Sequence, residues 1–240
     1  MEKELTHNFL DKEVIESCVI VSIYMDNINP TTVELQQKVV DKHNPFKFPK
    51  VNVLTPFSHG QTMNLLWEHE EFKKFKAIMF LDIDAIPLSD VSLALYFDRA
   101  LKGSLIGNAQ RSNHIQNDQH IFCAPSTVCM SRSTFEKIGK PSAEPNYRGD
   151  VAEEYTFRAE ENAVSVEIIM PLGYDRPVNR MPWETDKSSG WKLKDGQPEY
   201  GLGTSYGMNK ELPLFWHSFQ IFHPGHQELF WKRCEEELRK

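Results

Sequence analysis

Lys76-Ala77-Ile78-Met79-Phe80-Leu81 is the most hydrophobic run in the first half of the chain, and aspartates follow it at once at positions 82 and 84. A run this short, rich in Ile, Met, Phe and Leu, reads as a strand covered on both faces rather than as a helix. A strand of that kind lies inside a sheet, so other layers must pack on either side of it. In open α/β sheets, ligands bind beyond the carboxyl ends of the strands. Asp82 and Asp84 lie at such an end. Ala85-Ile86-Pro87-Leu88 comes next. Hydrophobic flanks on both sides argue against the competing reading, two solvated aspartates in a surface turn.

The rest of the chain alternates strand-like and helix-like segments, the pattern of an α/β domain. Strands are expected over 19–25, 50–54, 104–109, 122–130, 164–170 and 214–222. Thr31 or Thr32 is placed to cap a helix running to about Lys42, and Gly60 precedes a helix over 61–71. Ser89 or Asp90 is placed to cap a helix ending near Gly103, and Gly139 to stop a short helix over 133–138. Asp150 opens a helix to about Asn162, and a last helix covers 225–238. Residues 173–207, rich in Gly, Pro, Ser and Asp, read as a long irregular functional loop. With 240 residues, the chain fits one sizeable domain. We divide it at about 14–103 and 104–240.

Net charge and cysteine usage exclude several classes. A formal charge of -7 argues against a broad nucleic-acid surface. The four cysteines form no C-x-x-C pair, so a zinc ribbon is not expected, and reduced buried thiols are. The N-terminus is polar and acidic, without the basic and then apolar run of a signal peptide. No stretch approaches eighteen consecutive apolar residues, so no membrane span is expected. The expectation is a cytoplasmic protein, in the host cytoplasm if the chain is viral.

Two carboxylates two residues apart on an extended segment point the same way. Like charges side by side repel unless a cation neutralises them. Oxygen ligands suit Mg²⁺ or Mn²⁺, and such a cation can bridge a diphosphate and carry the charge that builds on a leaving nucleotide.

Phe80-Leu81-Asp82-Ile83-Asp84-Ala85 resembles the D-x-D motif of GT-A glycosyltransferases, in particular the small domains encoded by large viruses and some bacteria, such as the chlorovirus capsid-glycan enzyme. The resemblance implies a Rossmann-like single domain with a mixed, mainly parallel central sheet flanked by helices. It implies a nucleotide-sugar-binding half, 14–103, and an acceptor half, 104–240. Asp82 would then lie near the ribose and the metal, and Asp84 would ligate the metal directly. His217, in Phe215-Trp216-His217-Ser218-Phe219, would complete a Mn²⁺ (or Mg²⁺) site; the competing reading is a core histidine bonded to backbone. His223 and His226 are alternatives that better suit capping the last helix.

Family members also place an acidic helix start against the sugar. Asp150, Glu153 or Glu154 would serve there as the base that takes the acceptor hydroxyl proton. The competing reading is a capping box, Asp150 with Glu153. Ser22, Tyr24 and Asp26 would hold base and ribose, and the loop carrying His59 and Gln61 would meet anionic atoms. Arg111, in a polar stretch with Asn108, Asn113, His114, Asp118 and Gln119, could face a phosphate. Trp183, Trp191, Tyr200 and Tyr206 would belong to a mobile lid. For these residues ordinary packing competes.

The implied activity is metal-dependent transfer of a hexosyl or deoxyhexosyl group. The donor would be a UDP- or GDP-sugar and the acceptor a glycan or glycoprotein. A nucleotidyltransferase acting on a sugar phosphate is the nearest alternative. It normally carries a Gly-rich basic loop near the N-terminus, and 24–30 has neither glycine nor a basic residue. Transfer to a modified DNA base and a non-catalytic carbohydrate-binding module are further alternatives. The acidic charge disfavours the first and the carboxylate pair the second.

Overall fold

The computed structural model describes residues 11–112, 120–174, 203–219, 221–222 and 224–240. The N-terminal half runs α1 (Lys12–Glu16), β1 (Cys18–Tyr24), α2 (Pro30–Lys42), β2 (Lys50–Leu54), α3 (His59–Glu68), α4 (Glu70–Lys73), β3 (Ala77–Phe80), β4 (Ala85–Pro87) and α5 (Ser92–Leu101). Then come β5 (Leu105–Arg111), β6 (Ile121–Cys123), a 3-10 turn (Pro125–Thr127), β7 (Cys129–Ser131), α6 (Arg132–Lys137) and α7 (Glu153–Glu161). The chain closes with β8 (Val166–Ile169), β9 (Pro171–Tyr174), β10 (Gly203–Asn209), β11 (Leu212–Ser218) and α8 (Pro224–Arg239).

The central sheet is mixed, in the order β2-β1-β3-β7-β5-β6, with β8 also paired to β5. Strands β2, β1 and β3 run parallel, as do β5 and β8, while β7 lies antiparallel between β3 and β5. Period-2 alternation sends side chains of β1 and β3 to opposite faces. Ile20 and Met79 pack with Val40, Leu93 and Phe97 on one side. Val19, Val21, Ile78 and Phe80 pack with Met63, Trp67 and Tyr155 on the other. The two-sided cover expected of the 76–81 run is therefore present, with helices on both faces. A smaller antiparallel sheet, in the order β4-β11-β10-β9, packs beside it.

Several boundaries differ from expectation, each for a local reason. The cap of α2 is Asn29, whose side chain accepts from Thr31 N–H, with Pro30 in the first turn. Thr31 and Thr32 lie inside that helix because a proline after an Asx cap starts a helix earlier. Helix α3 starts at His59, capped by a Ser58–Gln61 capping box, and breaks at His69, which is extended. Neither Ser89 nor Asp90 caps α5, and the Ser92 hydroxyl bonds the Leu214 carbonyl at 2.6 Å instead. Helix α7 begins at Glu153, not Asp150, because Ala152 before it is left-handed, with φ 60°. The expected 173–207 loop is bounded by strand: Gly173 lies in β9 and Gly203 to Gly207 in β10. Of that loop, 175–202 lie outside the described residues. All four cysteines are free and buried. Among the described residues no helix is long and apolar enough to cross a membrane.

One buried side chain ties three elements together. Gln36, on the inner face of α2, is fully buried. Its Nε2 donates to Ser22 Oγ at 3.0 Å, to Asp82 O at 3.0 Å and to Ala85 O at 3.2 Å. Gln36→Leu keeps the volume and removes the donors, leaving buried acceptors unmet. A loss of about 1–3 kcal/mol in urea-unfolding stability is expected.

Candidate metal centre

Asp82 and Asp84 sit in a tight turn between β3 and β4, not on an extended segment, because Ala85 N–H donates to Asp82 O at 2.9 Å. The turn is fastened on every side. Leu81 N–H bonds Val21 O at 2.9 Å, Asp82 N–H bonds Ser126 O at 2.9 Å, and Ser218 N–H bonds Asp84 O at 2.9 Å. Gln36 holds the carbonyls at both ends of the turn.

Strand β11 brings the third group. It pairs antiparallel with β4, with His217 opposite Ala85. That register sets the imidazole beside the two carboxylates, from 133 residues further along the chain (217 minus 84). His217 Nε2 lies 3.3 Å from Asp84 Oδ1 and 3.8 Å from Asp82 Oδ2. One ligand atom from each residue can be chosen so that all lie within 4.8 Å of one another. Asp84 and His217 are buried and Asp82 is partly so. His59, the first residue of α3, places Nε2 3.4 Å from the other oxygen of Asp82, Oδ1.

The electrostatics fit a cation. Burial pushes the Asp82 carboxyl above the usual carboxylate range; His59 opposes that rise, Asp84 adds to it, and His217 opposes it. Burial alone would lower the His217 imidazole, but the charge and hydrogen bond of Asp84, with Asp82 behind, raise it above its ordinary value. Two carboxylates share this space with two imidazoles, His217 nearest Asp84 and His59 nearest Asp82. Asp82 Oδ1, His59 Nε2 and His217 Nδ1 are buried without a hydrogen-bond partner among the described residues. Two carboxylates and one imidazole suit Mn²⁺, and Mg²⁺ less well.

A pocket of about 150 Å³ opens on this cluster, lined by Tyr24, Phe57, His59, Asp82 and Asp84 among others. Beside it lies a cavity of about 650 Å³ that shares Tyr24 and reaches Asp26, Asn52 and Leu54. The structure thus brings Tyr24 and His59 to the carboxylate turn and Asp26 to the neighbouring cavity. Neither Ser22 nor Gln61 lines either of these two pockets. Ser22 is buried against Gln36, and the Gln61 side chain accepts from Ser58 N–H in the capping box. Arg111 is buried at the end of β5, next to 113–119, which lie outside the described residues together with Asn113, His114, Asp118 and Gln119. Asn108 is buried and accepts from Tyr96 OH at 2.8 Å. Tyr206 is buried in β10 and packs in the core, so it is no lid residue. Trp183, Trp191, Tyr200 and His223 lie outside the described residues. His226 sits in α8 with Nδ1 2.8 Å from Phe219 O.

The acidic helix start is a separate cluster with dense internal contacts. Asp150 is not the cap of α7; its Oδ1 accepts from Val151 N–H at 2.8 Å. Glu153 is fully buried. It accepts from Asp150 N–H at 2.7 Å and Ser112 Oγ at 2.7 Å, and its Oε1 lies 2.6 Å from His120 Nδ1. Glu154 takes two bonds from Arg148, at 2.6 and 2.8 Å, and one from Asn146 at 3.0 Å.

The sequence reading missed Gln36. Its signal was faint: a polar residue on the same helical face as Thr32, Val39 and Val40. It also missed His43, whose Nδ1 lies 2.8 Å from Asp90 and Nε2 3.1 Å from Glu237, joining α8 to the end of α2. Nothing local marks a pair 194 residues apart.

No family model and no curated protein matches the chain. Among solved structures, the A197 protein from STIV is similar with a TM-score of 0.42 and 10% identity, over 64% of this chain and 81% of that one. A mutant of Drosophila beta-1,4-galactosyltransferase 7, solved with manganese, UDP-Gal and xylobiose, is similar with a TM-score of 0.41 and 11% identity. That match covers 63% of this chain and 64% of the other, so the chain spans less than two thirds of the galactosyltransferase. Identities this low do not place the chain in either family.

The Glu154–Arg148 pair makes a pH prediction. Hydrogen bonds from Arg148 hold the Glu154 carboxyl below the usual carboxylate range, against the opposing pull of burial. A carboxyl lowered on folding stabilises the fold above its unfolded value of about 4.3, and loses that contribution as pH falls through the lower folded value. The stability gap between wild type and Glu154→Gln in urea unfolding is therefore expected to be constant above about pH 5. Below about pH 4 it should shrink.

Proposed function

We propose that this chain is a metal-dependent glycosyltransferase of the GT-A kind, taking its sugar from a nucleoside diphosphate donor such as a UDP- or GDP-sugar. The observation that carries the reading is the convergence of Asp82, Asp84 and His217 on one point beyond β3, where the sequence carries a D-x-D. Tyr24 and Phe57 in the adjoining pocket offer ring faces of the kind that pack on a nucleobase or sugar. The donor is assigned to the half formed by 14–103 and the saccharide or glycoprotein acceptor to 104–240.

In this reading Asp84 and His217 are direct ligands, and Asp82 contributes Oδ2 on the same side. The bound cation, Mn²⁺ or Mg²⁺, would supply positive charge against the leaving diphosphate. The turn itself is fixed before any ligand arrives, since Gln36, Ser126, Val21 and Ser218 hold its backbone. Preorganised ligands need no rearrangement when charge develops. Burial of His217 and Asp84 keeps bulk water from the ligand atoms and strengthens each charge interaction.

The acceptor hydroxyl needs a base. Glu154 is held ionised by Arg148, and a carboxylate of lowered proton affinity is a poor base. Glu153 is filled by donors from Ser112 and Asp150, with His120 against its other oxygen. We assign proton removal to this acidic start of α7, with Asp150, whose Oδ1 accepts from Val151 N–H, as the carboxylate to test first.

Two experiments test this. Mn²⁺ with UDP or GDP is expected to raise the melting temperature, by an amount equivalent to about 2.7 kcal/mol at a hundred times Kd. Asp84→Ala should abolish the shift, and no shift of the wild type with any nucleoside diphosphate overturns the donor assignment. Asp150→Asn is expected to lower turnover by about 10²- to 10⁴-fold with donor binding retained. Unchanged turnover removes Asp150 as the base.

A further inference from the structure

The carboxylate of Asp82 faces two imidazoles, one on each oxygen: Oδ2 lies 3.8 Å from His217 Nε2, and Oδ1 lies 3.4 Å from His59 Nε2. The backbone of Asp82 cannot turn, because its N–H is bonded to Ser126 O and its carbonyl accepts from both Ala85 N–H and Gln36 Nε2. The plane of the carboxylate is then set by what its oxygens meet. Oδ1 is buried, and so is His59 Nε2. Neither has a hydrogen-bond partner among the described residues, and at 3.4 Å the two face each other without a hydrogen bond between them. A buried carboxylate oxygen and a buried ring nitrogen, each without a partner and 3.4 Å apart, call for an explanation.

His59 is itself held rigidly. The Ser58–Gln61 capping box fixes the backbone at the start of α3. Gly60 packs against the 143–144 backbone so closely that a Cβ there would meet Ala143 O at 2.7 Å. Asn64 bonds Ala143 N–H at 2.7 Å and Ser142 Oγ at 2.8 Å, pinning the same helix to the same segment. The imidazole is therefore presented to Asp82 by tertiary contacts that do not depend on the metal.

We propose that His59 is a positioning residue for the metal centre: its Nε2–H holds Asp82 Oδ1 and so turns Oδ2 toward Asp84 and His217. The inference rests on the metal-site reading above. His59 is not among the three residues whose ligand atoms lie within 4.8 Å of one another, and its Nε2 approaches Asp82 at Oδ1. In the proposal it acts through Asp82 and not as a ligand. Outer partners of ligating carboxylates fix their orientation in this way, and their loss typically weakens metal binding by about 10- to 100-fold.

The test is titration of the metal-free protein with Mn²⁺ by calorimetry and with Co²⁺ by visible absorption, for the wild type, Asp84→Ala, His59→Ala and His59→Gln. His59→Ala is expected to bind both metals about 10- to 100-fold more weakly, with the Co²⁺ band unmoved because the ligands are the same. His59→Gln keeps an N–H near the position of Nε2 and is expected to restore most of the affinity with the same band. Wild-type affinity in His59→Ala overturns the proposal while leaving the metal site standing, provided Asp84→Ala has lost binding. A shifted Co²⁺ band in both His59 variants also overturns it, by making His59 a ligand. No binding by the wild type removes the metal reading and the role of His59 together. Far-UV circular dichroism confirms the fold of each variant, and the Ser58–Gln61 cap does not use the His59 side chain.

Discussion

The buried amide of Gln36 is the contact on which the site geometry depends. It reaches from the inner face of α2 to Ser22 on β1 and to the carbonyls of Asp82 and Ala85. A turn that carries two buried or half-buried carboxylates repels itself, and it needs its backbone fixed independently of its side chains. The two N–H groups of one buried amide, shared among three acceptors, do this in a medium where hydrogen bonds are stronger than in water. The price is a buried polar side chain in an apolar helix face, tolerable only because its Nε2 is so fully engaged.

Strand pairing supplies what the turn lacks. Strand β4 is three residues long, yet it receives β11 from the far end of the chain. The smaller sheet thereby delivers His217 to the carboxylates, and α8 then packs back on α2, where Trp231 Nε1 bonds Thr32 Oγ1 at 2.9 Å. Register alone decides that His217, and not Trp216, faces the carboxylates. A slip of one residue would reverse every side chain on β11. Trp216 is buried with Val39 and Phe230, and this packing opposes such a slip.

Much of the fold was legible in the chain. The 76–81 run became β3, covered on both sides as its composition required, and β1, β2 and the long helices fell close to their expected places. The misreadings were local: Asn29 with Pro30 outcompeted Thr31 as a cap, and the left-handed Ala152 delayed α7 past Asp150. The acidic helix start shows the limit most clearly. Glu153 and Glu154 look alike in sequence. One is buried among Ser112, His120 and the Asp150 N–H, and the other is clamped by Arg148. Two partners of Glu153, Ser112 just after β5 and His120 just before β6, lie 41 and 33 residues away in the chain, so composition could not separate the two roles.

The same division holds for the two aspartates. By itself the sequence determined that a buried strand would end in a pair of carboxylates, because an apolar run of that length has nowhere else to go and the charges follow it without a spacer. It also raised the expectation of a cation, since paired oxygens suit a hard one. Only the tertiary structure decided that the pair sits in a turn and not on an extended segment, with His217 beside one oxygen of Asp82 and His59 beside the other. Those imidazoles come from β11 and the start of α3. Their approach depends on strand register and helix anchoring, which are properties of the packed chain and of no local stretch of it.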